Sequence, residues 1–143
     1  MKVFIYEIDG VICVGSTPNN ENIEDIANLS VPVGVKYLIL DSLDLPKEPQ
    51  ESWYIEDGQI KIDQQKLVEF NRQNMPTLSP IEFDIKLNNA GLYDAVQDLI
   101  KDSFELRIAY NRATFFSRTA PFIDQARIAL NLTDEQVDEM WTS

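Results

Sequence analysis

The side chains of this chain that could do chemistry are mostly carboxylates. Its 143 residues include 24 Asp and Glu but no histidine and a single cysteine, Cys13. Zinc sites built from imidazole or paired thiolates therefore lack their ligands. Carboxylate-only catalysis would need a pocket that the sequence does not indicate. We predict that the protein is not an enzyme, has no catalytic residues, and binds no metal or other cofactor.

Two sets of carboxylates invite a functional interpretation, but local structure explains each of them. Asp9 and Asp57 could form an acid–base pair, yet each precedes a glycine in a predicted turn, where aspartate is favoured. Residues 134–139 contain four carboxylates that could hold a cation. The first two fit the first turn of a predicted helix, and the other two suit a solvated helix face. We expect neither set to be a site.

The net charge is −12, from 12 basic and 24 acidic side chains. Such a chain should repel free nucleic acid, because affinity for phosphate needs basic patches. The charge is explained by solubility, and the alternative is an acidic surface that meets a basic partner or imitates DNA. No stretch approaches the roughly 18 apolar residues that span a bilayer, and the first residues lack the apolar core of a signal peptide. We expect no membrane contact and a cytosolic chain.

The first half has the pattern of a small β-rich module. Asp-Gly steps at 9–10 and 57–58 are strong hairpin signals, so residues 2–8 pair with 11–16 and residues 52–56 with 59–63. Apolar spacing predicts a short helix over 23–29 and a second over 64–73, with Leu67, Val68 and Phe70 turned inward. The apolar residues 35–40 are predicted to form a central strand. Cys13 lies in an apolar run and is expected to be buried.

The second half contains signals for the starts and ends of helices and no signal for a strand. Ser79-Pro80 followed by Glu82 predicts a capped helix over 80–89, and Gly91 ends it. Four further helices are predicted. The second helix of this half ends near Asp102, the third spans 104–117, the fourth begins at Pro121, and the last begins after Thr133. The inner faces of the third and fourth of these helices are predicted from their spacing: Leu106, Ala109, Tyr110, Ala113 and Phe116, then Ile123, Ala126, Ile128 and Leu130.

The fold class predicted from these patterns is α+β. A β-hairpin-rich α+β module over residues 1–75 is followed by a bundle of short α-helices over residues 76–143. The boundary is placed at Met75-Pro76, where a proline coincides with the change of pattern.

Large aromatic side chains supply the candidate protein-binding residues. Trp53 and Tyr54 are adjacent on a predicted strand and point to opposite faces, so one of them is expected to be exposed or to face the other module. Trp141 lies close to the last residue and is expected to be partly exposed. Large aromatics are enriched in protein interfaces, although a core role explains them as well. Three arginines on the predicted 104–117 helix and just beyond it could bind an anionic partner or pair with nearby carboxylates: Arg107, Arg112 and Arg118.

A family resemblance makes the binding hypothesis more specific. Residues 107–118 (RIAYNRATFFSR) and 130–141 (LNLTDEQVDEMW) resemble the helical module of small tail-region proteins of bacteriophages and prophages. The first half is similar to the same group through its N-terminal hairpin, residues 33–37, Leu45-Pro46, Trp53 and the Asp57-Gly58 hairpin. The relatives often have a basic, phenylalanine-containing stretch before the tryptophan, where this chain has the short acidic interval 47–52.

The resemblance implies a protein that binds a phage tail fibre or another tail protein, as a tail-fibre assembly chaperone or accessory protein. It brings no catalytic residues, and it places the chain in the host cytoplasm during assembly or in the virion tail. Two alternatives stay open: an acidic anti-defence inhibitor that binds a host nucleic-acid-binding protein, and a minor structural component of the tail. Assembly of the chain into a homo-oligomer is a further open alternative.

Overall fold

The computed structural model of the chain describes residues 1–19 and 22–143. It has an α+β fold in which antiparallel strands come first and helices predominate afterwards, as the sequence predicts. The chain forms two compact units, Met1–Phe70 and Asn71–Ser143. Each unit is described by itself below.

The first unit is built on a three-stranded antiparallel sheet with the strand order β2-β1-β3. Its strands are β1 (Lys2–Ile8), β2 (Val11–Ser16) and β3 (Tyr37–Asp41). The predicted first hairpin is confirmed, because β1 and β2 pair from Val3 opposite Ser16 to Ile8 opposite Val11. Asp9 and Gly10 have φ angles of 50° and 77°, which a two-residue type I′ turn requires.

The prediction that residues 35–40 form a central strand is wrong. The central strand is β1, and β3 pairs with it at one edge of the sheet. β1 has apolar side chains on both faces, with Val3 and Ile5 on one side and Phe4 on the other, and all three are buried. The side chains of β3 are only half-buried, which is typical of an edge position.

Both faces of this sheet are covered. Helix α1 (Ile23–Ser30) packs on one face, and the second hairpin, β4 (Trp53–Glu56) with β5 (Gln59–Ile62), packs on the other. The two resulting buried clusters consist of Phe4, Ile23, Ala27 and Val31 on the helix side, and of Val3, Ile5, Ile12 and Trp53 on the hairpin side. Cys13 is half-buried rather than buried, since it lies on the edge strand β2.

Helix α2 (Gln64–Gln73) begins where the sequence predicts it. The Asp63 carboxylate accepts hydrogen bonds from the backbone N–H groups of Gln65 and Lys66, at 3.0 and 3.1 Å, and so satisfies the first turn. Val68 is exposed rather than turned inward, and Leu67 and Phe70 are half-buried.

The second unit is an array of short helices around an aromatic core. The helices are α3 (Pro80–Asn89), α4 (Tyr93–Asp102), α5 (Phe104–Arg112), α6 (Pro121–Ala129) and α7 (Asp134–Thr142). Both predicted capping boxes are present, Ser79 with Glu82 before α3 and Thr133 with Gln136 before α7. The rings that meet in the core belong to Phe83, Tyr110, Phe116, Phe122 and Trp141.

Helix α5 is shorter than the predicted 104–117 helix. It ends at Arg112, after which Ala113 has an extended backbone. The chain then turns so that Phe116 pairs with Leu78, and their backbone N–H and C=O groups exchange hydrogen bonds at 2.9 and 2.7 Å. This bridge places Phe116 in the core without a helix. Ala109 and Ile128, which were predicted to face inward, are exposed.

Candidate protein-interaction surface

The two tryptophans are core residues. Trp141 exposes 2% of its surface, and its indole N–H donates to the carbonyl of Pro76 at 2.7 Å. Trp53 exposes 6%, and its indole N–H donates to the carbonyl of Glu48 at 2.8 Å. The expectation that Trp141 is partly exposed is therefore wrong. Its ring is buried inside the unit, and its indole N–H has a hydrogen-bond acceptor there. Tyr54, on the opposite face of β4, is half-exposed.

Arg118 is also internal. It lies in the segment after α5, exposes 4% of its surface and bonds two carboxylates of α7. Its Nε donates to Asp138 Oδ1 at 2.7 Å, and its Nη2 donates to Asp134 Oδ1 at 3.0 Å. Arg118 therefore belongs to a carboxylate pair inside the unit and is not a surface residue that could meet an anionic partner.

Two more arginines complete what we call the arginine–aspartate cluster. Arg72, in the last turn of α2, has its Nη2 2.9 Å from Asp138 Oδ2, and Arg127 on α6 has its Nε 3.3 Å from Asp134 Oδ1. The hydrogen bond from Arg118 lowers the pKa of Asp134 below its usual value, with the charges of the other two arginines acting in the same direction. Asp138 is thus part of an ion-pair cluster and does not lie on the solvated face that the sequence favoured.

The arginine–aspartate cluster joins four segments of the second unit. They are the last turn of α2, the segment after α5, α6 and α7. Pairing of Arg118 with carboxylates was one of the two roles considered from the sequence. The full cluster was not predictable, because its five residues are spread over residues 72–138 and arginine and aspartate are common surface residues. In the part of the chain that the structure describes, no three Cys, Asp or Glu side chains are grouped so that they could hold a metal ion.

A second polar network links three helices through Tyr110. Its hydroxyl donates to Asp84 on α3 and accepts from Nε2 of Gln97 on α4 at 3.2 Å. Burial raises the pKa of the Tyr110 hydroxyl, and the bond to Asp84 raises it further. A tyrosine held in this protonated state is a structural donor and cannot act as a base at neutral pH.

The exposed aromatic side chains of the second unit lie on and after α5. Phe104 exposes 68% of its surface and Phe115 exposes 60%. Phe104 and Ile108 are four residues apart and share a helix face, and the Arg107 guanidinium lies 5.5 Å from the centre of the Phe104 ring. We call the residues of this region the α5 surface: Phe104, Arg107, Ile108, Arg112 and Phe115.

The α5 surface is basic and apolar in an acidic protein. Among residues 1–19 and 22–143, Arg107 and Arg112 have no carboxylate within salt-bridge distance. These are the two arginines that the sequence proposed for anion binding and that the core does not use. Exposed phenylalanine and arginine are enriched at protein interfaces, whereas solvated helix faces usually have other polar residues.

Part of this surface has a signal in the sequence, apart from the predicted inner faces. Phe104 and Ile108 are four residues apart, which places a second apolar pair at helical spacing beside the predicted inner face. Phe115 lies beyond the end of α5 at Arg112, so helical spacing does not account for its exposure. A helix with apolar residues on two sides has more apolar surface than one core contact can bury. Trp53 was chosen for its place beside Tyr54 on a strand, and Trp141 for its closeness to the last residue. Large aromatic side chains at such positions are also common in cores, and both rings are buried.

A groove in the second unit offers no catalytic arrangement. It has a volume of about 400 Å³, and its lining includes Asn89 at the end of α3 and Glu139 and Met140 of α7, with Glu139 as its charged side chain. Gln136, which also lines it, accepts the hydrogen bond from the Thr133 backbone in the capping box. One carboxylate without an acid or base partner does not make a general acid–base site.

Comparison of the chain with protein families, with curated proteins and with solved structures finds no match. Among the described residues, every helix is too short or too polar to cross a membrane.

Proposed function

We propose that this chain is a protein-binding protein of the phage tail-fibre assembly type, a chaperone or accessory protein, and that the α5 surface contacts its partner. The observation that carries the proposal is the exposure of Phe104 in contact with Arg107, followed along the chain by exposed Arg112 and Phe115. Among the described residues, neither arginine has a carboxylate within salt-bridge distance. Segment 107–118, which resembles the tail-region proteins, contains four of the five residues of this surface. The resemblance and the exposed residues thus indicate the same region of the chain, which is α5 and the segment after it.

The role is physically reasonable for a small acidic protein. Tail fibres are β-rich trimers whose edges and apolar ends are exposed before assembly, and exposed edges promote aggregation. A partner that covers such a segment with aromatic and arginine side chains would keep it soluble. A few such side chains supply most of the binding energy in typical interfaces.

The test is a pull-down of the tagged full-length chain from cells that are producing the phage, read by mass spectrometry and compared with the proteins of purified particles. We expect a tail-fibre protein to be recovered and this chain to be absent from the particles. The double variant Phe104→Ser/Phe115→Ser should lose the fibre protein, because it removes both exposed rings and the contact of Arg107 with Phe104.

The matched control is Ile128→Ser, which removes an exposed apolar side chain from α6 of the same unit. It should keep the fibre protein, and both variants should keep the melting temperature of the unchanged chain. Two alternatives have their own outcomes. Presence of the chain in particles would identify a structural tail component, and recovery of a host DNA-binding protein would favour the acidic inhibitor.

A further inference from the structure

The free edge of the three-stranded sheet is defined by one hydrogen bond and the strand register. The backbone N–H of Ser42 donates to the carbonyl of Met1 at 2.7 Å, so these opposite residues form a hydrogen-bonded pair. In an antiparallel ladder such pairs alternate with pairs that point away from each other. With the register of β1 and β3, the residues of β3 that direct their N–H and C=O groups away from the sheet are Tyr37, Ile39 and Asp41.

These outward groups are unpaired in the described part of the chain. No hydrogen bond from residues 1–19 or 22–143 reaches the backbone N–H or C=O of Tyr37, Ile39 or Asp41 on that side. The three residues repeat at about 6.8 Å, twice the rise of a strand, which is the spacing that another antiparallel strand needs. The edge of β3 is therefore a template for one more strand.

The opposite edge of the same sheet, at β2, is partly covered by other segments of the chain. The same alternation directs the carbonyl of Ile12 outward from β2, and there Nε2 of Gln50 donates to it at 2.7 Å. A 3-10 turn over Gln50–Ser52 and strand β4 also pack against β2. Proteins usually protect edge strands with charge, proline or a covering segment. In β3 the one charged residue is Asp41, at its end.

The surroundings of the β3 edge indicate the chemistry of what binds there. Val33 before the strand and Leu43 after it are almost fully exposed, so each end has an apolar side chain to offer. Asp44 follows the strand, and Glu24 lies one turn from Asn28, whose side chain accepts the hydrogen bond from the Tyr37 hydroxyl at 2.8 Å. The segment that carries this edge, residues 23–44, has four acidic residues and one basic residue, Lys36. This acidic excess favours a basic occupant.

We propose that the edge of β3 binds an extended segment of another protein, apolar along one face and basic in net charge, as a fourth strand of the sheet. Main-chain hydrogen bonds supply the affinity in this mode and alternate side chains supply the specificity. Identification of that protein as a β-rich fibre rests on the proposed function. A second copy of this chain is disfavoured as the occupant, because each copy has a net charge of −12.

The test is a nuclear magnetic resonance titration of the ¹⁵N-labelled full-length chain with a synthetic peptide of alternating valine and threonine with a lysine at each end. The amides of Tyr37, Ile39 and Asp41 should shift and become protected from hydrogen exchange. The amides of Leu38 and Leu40 already bond to β1 and should change little. The same peptide with glutamates in place of the lysines should bind more weakly at low salt.

A matched pair of variants isolates the backbone contribution. Ile39→Pro removes an outward N–H, which edge strands tolerate, and Ile39→Ala removes similar side-chain packing but keeps the N–H. We expect Ile39→Pro to weaken peptide binding about tenfold relative to Ile39→Ala. Equal binding by the two variants would overturn the proposal.

The unchanged chain provides readouts that do not depend on the folding of a variant. Peptide-induced shifts confined to other residues would overturn the proposal. Protection of the three amides that grows with protein concentration alone would assign the edge to a second copy and overturn it as well. If the peptide fails while the fibre pull-down succeeds, the fibre binds elsewhere, so the two proposals fail separately.

Discussion

Arg118 shows at the level of one side chain how this protein handles charge in its interior. A buried guanidinium is costly to desolvate, and it is tolerated here because Asp134 and Asp138 accept its hydrogen bonds. Both carboxylates have a second arginine partner, Arg127 and Arg72 respectively. Removal of one arginine therefore leaves neither carboxylate without a counter-charge.

Because each carboxylate has a second arginine partner, we expect the loss of Arg118 to have a moderate effect on stability. Arg118→Met should lower the free energy of unfolding by about 1–3 kcal/mol. This is less than the roughly 3–5 kcal/mol that is usual when removal of one partner leaves a buried charge unpaired. Urea unfolding at neutral pH measures the change. Arg112→Met is the control, because Arg112 is exposed and has no ion pair among the described residues, and it should stay within about 0.5 kcal/mol of the unchanged chain. An equal loss in both variants would contradict the role of the cluster.

The hairpin of β1 and β2 depends on a close contact between a ring and a glycine. Gly15 lies opposite Phe4 in the register, and a Cβ atom at Gly15 would lie 2.1 Å from Cζ of the Phe4 ring. No side chain atom fits at that distance, so the ring occupies the space that glycine leaves open. Phe4 in turn packs against α1.

We therefore expect Gly15→Ala to destabilise the protein by about 1–3 kcal/mol, because the Phe4 ring must move and its packing on α1 is strained. Urea unfolding of single and double variants measures this. In a Phe4→Leu background, which removes the ring, the same substitution should cost much less. A cost that is the same in both backgrounds would show that the contact is not the cause.

Elements that depend on local chemistry were predictable from the sequence. The two Asp-Gly turns, the capping boxes at Ser79 and Thr133, and the starts of α2, α3 and α7 follow from side chains within a few residues of the backbone groups they satisfy. Features that depend on distant residues were not. The edge position of β3, the end of α5 at Arg112 and the Leu78–Phe116 bridge are decided by pairing across the chain, which periodicity does not encode.

The same division holds for the candidate surfaces. The exposed pair Phe104 and Ile108 follows from helical spacing in the sequence. The exposure of Phe115 follows from the end of α5 at Arg112, and the unpaired groups of β3 follow from its place in the sheet. The burial of Trp141 was missed because its position near the last residue suggested exposure, while its ring packs on Phe83 and its N–H bonds Pro76.

At the scale of the whole molecule, the net charge of −12 opposes compaction. Screening should relieve this, since the Debye length falls from about 30 Å at 0.01 M salt to about 10 Å at 0.1 M. We expect the melting temperature at pH 7 to rise over that range of sodium chloride, as measured by circular dichroism.

A variant with less negative charge provides the control. Asp102→Lys/Glu139→Lys replaces two exposed acidic residues near helix C-termini, where lysine is favoured, and reduces the net negative charge by four. Its melting temperature should rise less with salt than that of the unchanged chain. A melting temperature that falls with salt in the unchanged chain would mean that attractive ion pairs outweigh repulsion.

The placement of the two tryptophans gives the protein a pair of built-in optical reporters. Trp53 lies in the core of the first unit and Trp141 in the core of the second, and each indole N–H is bonded to a carbonyl of its own unit. Exposure of either ring to water on unfolding changes its fluorescence. A chain that keeps only one of them, with phenylalanine in place of the other, reports the opening of one unit at a time.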